Sequence, residues 1–296
     1  MKYGKMYTVI SIIIALVLVY HIGFFFYYNY EHLLDFDAIT YISQIPSLLG
    51  LAGVMLFYFS RFKRNNFLRW FMCYQIFSLP FRIWFDVEYF SGRPLKYYFN
   101  DIGPRLTVSE IVSTIILLLL TTSCAVGLWL LSKQKAAKLT AAEYDGKLAW
   151  EFSPAGKGLR FANRLIDIIV MLFIVINHLY TMAIYFDNSF NLKSYWELYL
   201  IEFVSIILYY LLLEGIFNTT PGKCVTNTTI VNEEGQRPRF GQILGRTFAR
   251  LIPFDALSFL GARGWHDGLS GTYVVSAVNN EEATEEITLD AEQNIG

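Results

Sequence analysis

Six apolar runs, each long enough to form a helix that crosses a bilayer, dominate this chain and constrain what it can fold into. They cover Tyr7–Tyr28, Ala38–Ser60, Phe67–Phe90, Thr107–Leu131, Leu159–Tyr185 and Tyr195–Phe217. A helix needs about 20 predominantly apolar residues to span hydrocarbon. The chain as a whole is 54% hydrophobic and 17% charged, with a mean hydropathy of +0.39, and its charges collect in the gaps between runs. That pattern predicts an all-α polytopic membrane protein with about six transmembrane helices. Lys2 and Lys5 precede the first run, as in a signal peptide. Its apolar core is longer than a signal h-region and no small-residue cleavage site follows, so it reads as a retained helix. A net charge of −1 argues against a nucleic-acid partner. Cys73, Cys124 and Cys224 form no metal spacing, and the first two read as buried apolar side chains. No cofactor is called for.

The charges in the gaps orient the runs. Basic gaps (Arg61, Lys63, Arg64 and Arg69; then Lys133, Lys135, Lys138, Lys147 and Lys157; then Lys223, Arg237 and Arg239) alternate with acidic or weakly basic ones (Glu31, Asp35 and Asp37; then Asp187 with Lys193). Positive charge favours the cytoplasmic side, so both termini are expected there, in a multi-pass protein of the bacterial inner membrane. Arg93, Lys96 and Arg105, diluted by Asp86, Glu88 and Asp101, fit this topology least well.

Four parts are expected. Residues 1–132 form a four-helix front half. Residues 133–157 are a cytoplasmic linker, helical at first and then loose around Ser153-Pro154-Ala155-Gly156. Residues 158–278 form a back half, and 279–296 an acidic disordered tail. Within the back half, Pro221-Gly222 reads as the stop of the sixth run. Cys224–Val231 reads as a strand, followed by a turn at Asn232–Gln236. Thr272–Val275 is a second β-prone run that can pair with the first in a small cytoplasmic β-hairpin. Between them Phe240, Ile243, Leu244, Phe248, Leu251 and Ile252 recur at helical spacing, interrupted by Arg239, Arg246 and Arg250. That is an interfacial amphipathic helix, lying on the membrane or re-entering it. Gly241 and Gly245 would let it approach a neighbour closely.

Ionisable residues inside or beside apolar runs are the best pointers to function. Arg160, Arg164, Asp167, Ile174 and His178 share one face of the fifth run. Asp167 lies about 10 Å in from its cytoplasmic end at 1.5 Å per residue, and Glu214 returns to the same end on the sixth run. Arg160 and Arg164 can pair with Asp167, while Arg246, Arg250 and Asp267 approach from the interfacial segment, giving a cytoplasmic-side charge cluster. An outer layer is expected from His178, Glu202 and Arg82 at similar depth, with Asp86 one turn beyond Arg82 and Asn177 as a neutral oxygen ligand. Each has a plainer reading as well. The arginines can snorkel to lipid headgroups or, at Arg246 and Arg250, contact anionic lipid. Asp167 can be a structural ion-pair partner, as can His178 with Glu202, and Arg82 with Asp86 can be an intrahelical pair. His266-Asp267 has no accompanying nucleophile or metal spacing, so no enzyme is expected.

The back half resembles the RDD family, bacterial membrane proteins named for one arginine and two aspartates. The matching residues are Arg160, Asp167 and Asp267, in order with Thr220-Pro221-Gly222-Lys223, Gly235, Arg246, Arg250 and Ile252-Pro253-Phe254. The wording RFANRLID with PFDALSFLGARGWHD is similar to Bacteroidetes-type members. The resemblance implies cation/proton exchange, with Asp167 and Glu202 as titrating groups and a monovalent cation and proton as ligands. The alternative is a non-transporting membrane scaffold in which the Arg/Asp cluster is structural and residues 1–132 choose the partner. Membrane lipids are the expected surroundings of either, and homo-oligomerisation would suit a transporter with so few helices.

Overall fold

The computed structural model describes residues 4–28, 41–92, 108–133, 135–137, 139–144, 147–152, 154–185, 195–252, 258 and 264–279. The tail beyond 279, the side chains of Asp86, His178 and Glu202, and the expectations placed on them lie outside the described residues. The chain is mostly helical and clusters into two compact units. One comprises Met1–Gly127 with Val170–Val204, the other Leu128–Ile169 with Ser205–Gly296.

The apolar runs become helices α1 (Gly4–Tyr28), α2 (Ile45–Phe59), α3 (Asn66–Gly92), α4 (Val108–Ser132), α5 (Lys157–Tyr185) and α6 (Tyr195–Phe217). Helix α2 starts later than its apolar run. Pro46 lies in its first turn, where a residue with fixed φ and no N–H is tolerated. Among the described residues, α1 and α4 contain segments long and apolar enough to cross a membrane, Lys5–Tyr27 and Thr114–Ser132. Ile45–Phe59 and Phe203–Phe217 are shorter apolar helices.

In the first unit α2 and α3 form a tight pair. The chain reverses through Arg61 and Phe62, both at positive φ (50° and 70°), and the Ser60 hydroxyl accepts a hydrogen bond from the Arg64 N–H at 2.9 Å. Gly53 makes the pairing possible, because a Cβ there would lie 2.7 Å from the Leu68 backbone nitrogen. Tyr7, Ile14 and Leu18 of α1, Phe57 of α2, and Leu68, Phe71 and Phe77 of α3 form the core with Cys73 and Cys124. Outside this apolar core the surface is apolar too, and a few polar side chains lie inside. Gln75, Ser78 and Thr121 are buried, and Gln75 donates to Thr121 at 3.4 Å. Leu16 is 66% exposed and Phe59 81% exposed.

The second unit carries the strands. The linker was expected to begin as a helix. It instead forms β1 (Lys135–Ala137), β2 (Leu139–Tyr144) and β3 (Lys147–Phe152). Ala and Lys are good helix formers, but intrinsic propensity is a weak preference that strand pairing overrides here. β2 and β3 pair antiparallel with Tyr144 opposite Lys147. β1 joins β5 (Thr272–Asn279), which also pairs with β4 (Thr228–Asn232), in the order β1-β5-β4. The two β-prone runs therefore do pair, with Thr228 opposite Ser276 and Asn232 opposite Thr272. They are distant in the chain and form a sheet edge to edge with the former linker rather than a hairpin. Pro221 begins an element instead of ending one. Helix α6 stops at Phe217, Asn218 takes φ 54°, and Thr220 caps the short helix α7 (Pro221–Thr226) with Pro221 in its first turn. Residues 224–226, expected in a strand, are therefore helical. Helices α8 (Phe240–Ala249) and α9 (Trp265–Ser270) complete the unit.

Because an added methyl at Gly53 must displace backbone, Gly53→Ala is expected to destabilise the α2–α3 pair by about 1–3 kcal/mol. The measurement is a lowered thermal midpoint of the detergent-solubilised protein; an unchanged midpoint would show that α2 and α3 do not pack this closely.

Candidate functional site

Asp167 sits on α5 and is buried. Its Oδ1 accepts from the Tyr209 hydroxyl of α6 at 2.8 Å and from the Gly222 N–H at 2.7 Å, and its Oδ2 accepts from the Thr220 hydroxyl at 2.8 Å. Thr220 does this while capping α7, so one hydroxyl serves both the helix start and the carboxylate. The α7 backbone comes this close only because residue 222 is glycine: a Cβ there would lie 2.2 Å from the Asn163 carbonyl oxygen. The buried Asn163 side chain pins the same junction by donating to Thr228 at 2.9 Å and accepting from Thr226.

The expected pairing of Asp167 with Arg160 and Arg164 is not what occupies its oxygens. Arg164 donates instead to the Tyr210 hydroxyl at 2.9 Å, with its guanidinium 5.6 Å from that ring's centroid. Three residues along a helix turn a side chain by about 60° from a neighbour, which separates the Arg164 and Asp167 directions once α6 packs against them. Arg160 lines the same cavity as Arg164.

The ionic centre is Glu214, which is 0% exposed at the end of α6. Lys223 of α7 donates to its Oε1 at 2.7 Å. Arg250 grips both oxygens, Nη2 to Oε1 at 2.6 Å and Nη1 to Oε2 at 3.0 Å. Arg246 Nε lies 3.2 Å from Oε2. Arg246 also reaches Asp267 of α9 and donates to the Thr272 hydroxyl of β5 at 2.8 Å. Arg250 lies over the Tyr210 ring, 3.7 Å from its centroid. The chain thus brings Glu214, Arg246, Arg250 and Asp267 together as expected and adds Lys223, Tyr209, Tyr210, Thr220 and Thr272. A sequence alone marks these additions only faintly: Lys223 lies in the Thr-Pro-Gly-Lys run, and the tyrosines look like ordinary residues of an apolar helix.

Electrostatics follow from this crowding. Burial pushes the Asp267 carboxyl up, but Arg246, His266 and Arg250 outweigh it and hold the group below its usual range. Burial likewise opposes charge on Arg250, yet Glu214 and Tyr210 raise its affinity for the proton above the ordinary arginine value. For Lys223 burial prevails over the pull of Glu214 and Asp167, and its proton affinity is lowered.

Helix α8 is amphipathic in an unexpected sense. Ile243, Arg246, Thr247 and Ala249 are buried, whereas Phe240 is 65% and Phe248 51% exposed. The arginines that interrupt the apolar run are its inward face. Gly241 and Gly245 do not serve close packing as expected, since nothing lies within 4 Å of a Cβ built at either. Both are exposed.

Of the expected outer layer, His178 and Glu202 have side chains outside the described residues, and Asn177 is half-buried on α5. Arg82 borders a cavity of about 230 Å³ in the first unit with His21, Gln75 and Ser47, polar residues of the front half not singled out from sequence.

Comparison with known proteins finds a family match and a relative. Residues 154–279 match the RDD family. The chain is 28% identical over 149 residues to the uncharacterised protein YxaI of Bacillus subtilis (strain 168), an alignment covering 41% of this chain and 97% of that protein. No solved structure matches the chain.

Two outcomes test the cluster. Glu214→Gln leaves three buried cations facing a neutral amide and is expected to cost about 3–5 kcal/mol, read as a steep loss of folded, membrane-extracted protein. Asp267 is held below its unfolded value of about 3.9, so its contribution is complete above that pH and lost as pH falls through the lower folded value. The wild-type thermal midpoint should therefore drop in acid below about pH 4, and Asp267→Asn should flatten that part of the curve. Equal slopes for the two proteins would rule out this role for Asp267.

Proposed function

We propose that this chain, whose residues 154–279 are of the RDD family, is a six-crossing membrane scaffold with both termini in the cytoplasm. In this reading the Arg/Glu/Asp cluster is a structural clasp and the four-helix front half selects an assembly partner. The observation that carries the reading is the filling of the two buried carboxylates. Glu214 is gripped by three cations, and both oxygens of Asp167 are taken by fixed donors. A transport site needs a carboxylate that exchanges its partner for a cation or proton, and Glu214 would have to abandon three buried charges to do so. The membrane setting is supported by the exposed apolar side chains of the first unit and by the alternation of basic and acidic gaps.

The exchanger reading keeps one specific support. The direct donors to Asp167 are two hydroxyls and a backbone N–H, all neutral, so its charge state is less committed than that of Glu214. The discriminating measurement is proton flux driven by a sodium or potassium gradient in proteoliposomes. The scaffold reading expects no such flux, reduced membrane abundance of Asp167→Asn, and a stoichiometric partner in pull-downs. Cation-dependent flux that Asp167→Asn abolishes at undiminished abundance would overturn it in favour of exchange.

A further inference from the structure

The second unit encloses a cavity of about 40 Å³ lined by six basic side chains, Arg160, Arg164, Lys223, Arg246, Arg250 and His266, and by the two carboxylates of Asp167 and Asp267. Four of these side chains already face carboxylates: Lys223 and Arg250 are bound to Glu214, Arg246 bridges Glu214 and Asp267, and His266 Nε2 lies 3.7 Å from Asp267. Arg164 is placed differently. Its hydrogen bond goes to the Tyr210 hydroxyl, a neutral partner. Its buried Nε meets no acceptor. Among the described residues no carboxylate lies within ion-pair distance of it. A guanidinium presents five N–H donors in a planar fork suited to oxyanions, and one left with unmet donors at a cavity wall is incompletely solvated by the protein.

We propose that this cavity binds the phosphate group of an anionic phospholipid, with Arg164 as the residue that contacts it. The inference goes beyond the scaffold reading but rests on its membrane setting. Size is compatible. A water needs roughly 10–15 Å³ of such space, so the cavity admits a few waters or one phosphoryl head, with the rest of the lipid outside. Access is compatible too: Arg160, Arg164 and His266 are half-exposed, while Asp167, Lys223, Arg246, Arg250 and Asp267 are buried behind them. The flanks favour a lipid over a free anion. Phe161 follows Arg160, Leu165 follows Arg164, and Trp265 precedes His266; all three are exposed apolar side chains. A soluble phosphate gains nothing from such neighbours, whereas acyl chains would cover them. Depth agrees as well. Arg160 and Arg164 occupy the first two turns of α5, the cytoplasmic end in the charge-derived topology, and the cytoplasmic leaflet is where anionic headgroups meet basic pockets.

The test uses the full chain in dodecyl maltoside micelles, titrated with phosphatidylglycerol, with phosphatidylcholine or with inorganic phosphate, and followed by thermal midpoint. Phosphatidylglycerol should raise the midpoint. Phosphatidylcholine, whose own ammonium accompanies its phosphate, should raise it less. Arg164→Gln should shift the half-saturating phosphatidylglycerol concentration upward by about 10- to 100-fold, as loss of a charge-assisted hydrogen bond predicts, and Arg164→Lys should restore part of the effect. If inorganic phosphate alone reproduces the Arg164-dependent shift in full, the oxyanion site stands and its ligand comes from solution. Equal responses to the two lipids, or responses untouched by Arg164→Gln, would overturn the proposal. Should Arg164→Gln not fold, native mass spectrometry of wild type decides: retained phosphatidylglycerol supports the site, and bare protein refutes it. Carbonate extraction of membranes reads the membrane setting separately, since release of wild type by carbonate refutes that setting whatever the lipid titrations give.

Discussion

An ionised carboxylate with no exposure to solvent needs cations or fixed hydrogen-bond donors around it, or it takes up a proton instead. Glu214 is answered three times, by Lys223, Arg246 and Arg250, and these partners reach it from different elements. The carboxylate ends α6, the lysine comes from α7, and the arginines come from α8 and its C-cap. Through Arg246 the same charge extends to Asp267 on α9 and Thr272 at the start of β5. Most of the second unit is therefore indexed to one side chain. An apolar contact tolerates sliding, whereas a bidentate grip on a desolvated carboxylate does not. The cluster thereby sets positions as well as adding stability.

Asp167 is buried by other means. It draws on a tyrosine hydroxyl, a threonine hydroxyl and the Gly222 N–H, which requires α7 to come within contact of the Asn163 backbone. That approach is open only to glycine at 222. The two carboxylates thus make complementary demands: Glu214 needs long cationic side chains converging from several elements, and Asp167 needs backbone proximity. Arg164 bonds to the Tyr210 hydroxyl and to neither carboxylate, at the wall of the cavity proposed to take an external anion.

The inverted helix α8 shows how such demands outrank ordinary amphipathic logic. Its aromatic side chains lie outward and its arginine inward. In water that arrangement would expose Phe240 and Phe248 for no return. Against a bilayer or an apolar partner both faces are satisfied, because the arginine has its carboxylates and the phenylalanines have hydrocarbon. The first unit follows the same rule, with the Gln75–Thr121 contact inside and leucines outside.

The six apolar runs were legible directly, and five of the helices they become, α1, α3, α4, α5 and α6, match the expected bounds to within a few residues. Length and continuous apolarity need no partner to be recognised. The helical phase of Phe240–Ala249, the β-prone character of Thr228–Val231 and Thr272–Val275, and the membership of Glu214, Arg246, Arg250 and Asp267 in one cluster were legible as well, because charge in an apolar context must find countercharge. What the sequence could not settle was the direction of contacts. Lys135–Ala137 looks helical until β5 supplies its hydrogen bonds. Pro221 reads as a stop until Thr220 is seen capping a new helix. Arg164 and Asp167 share a helical face, yet Tyr210 takes the one and Tyr209 the other. By itself the sequence determined which segments are apolar enough for helices and which charges had to be paired, because both follow from local composition and desolvation. Only the tertiary structure decided who pairs with whom, because partner choice depends on the relative placement of α6, α7, α8 and β5, and no spacing along the chain encodes it.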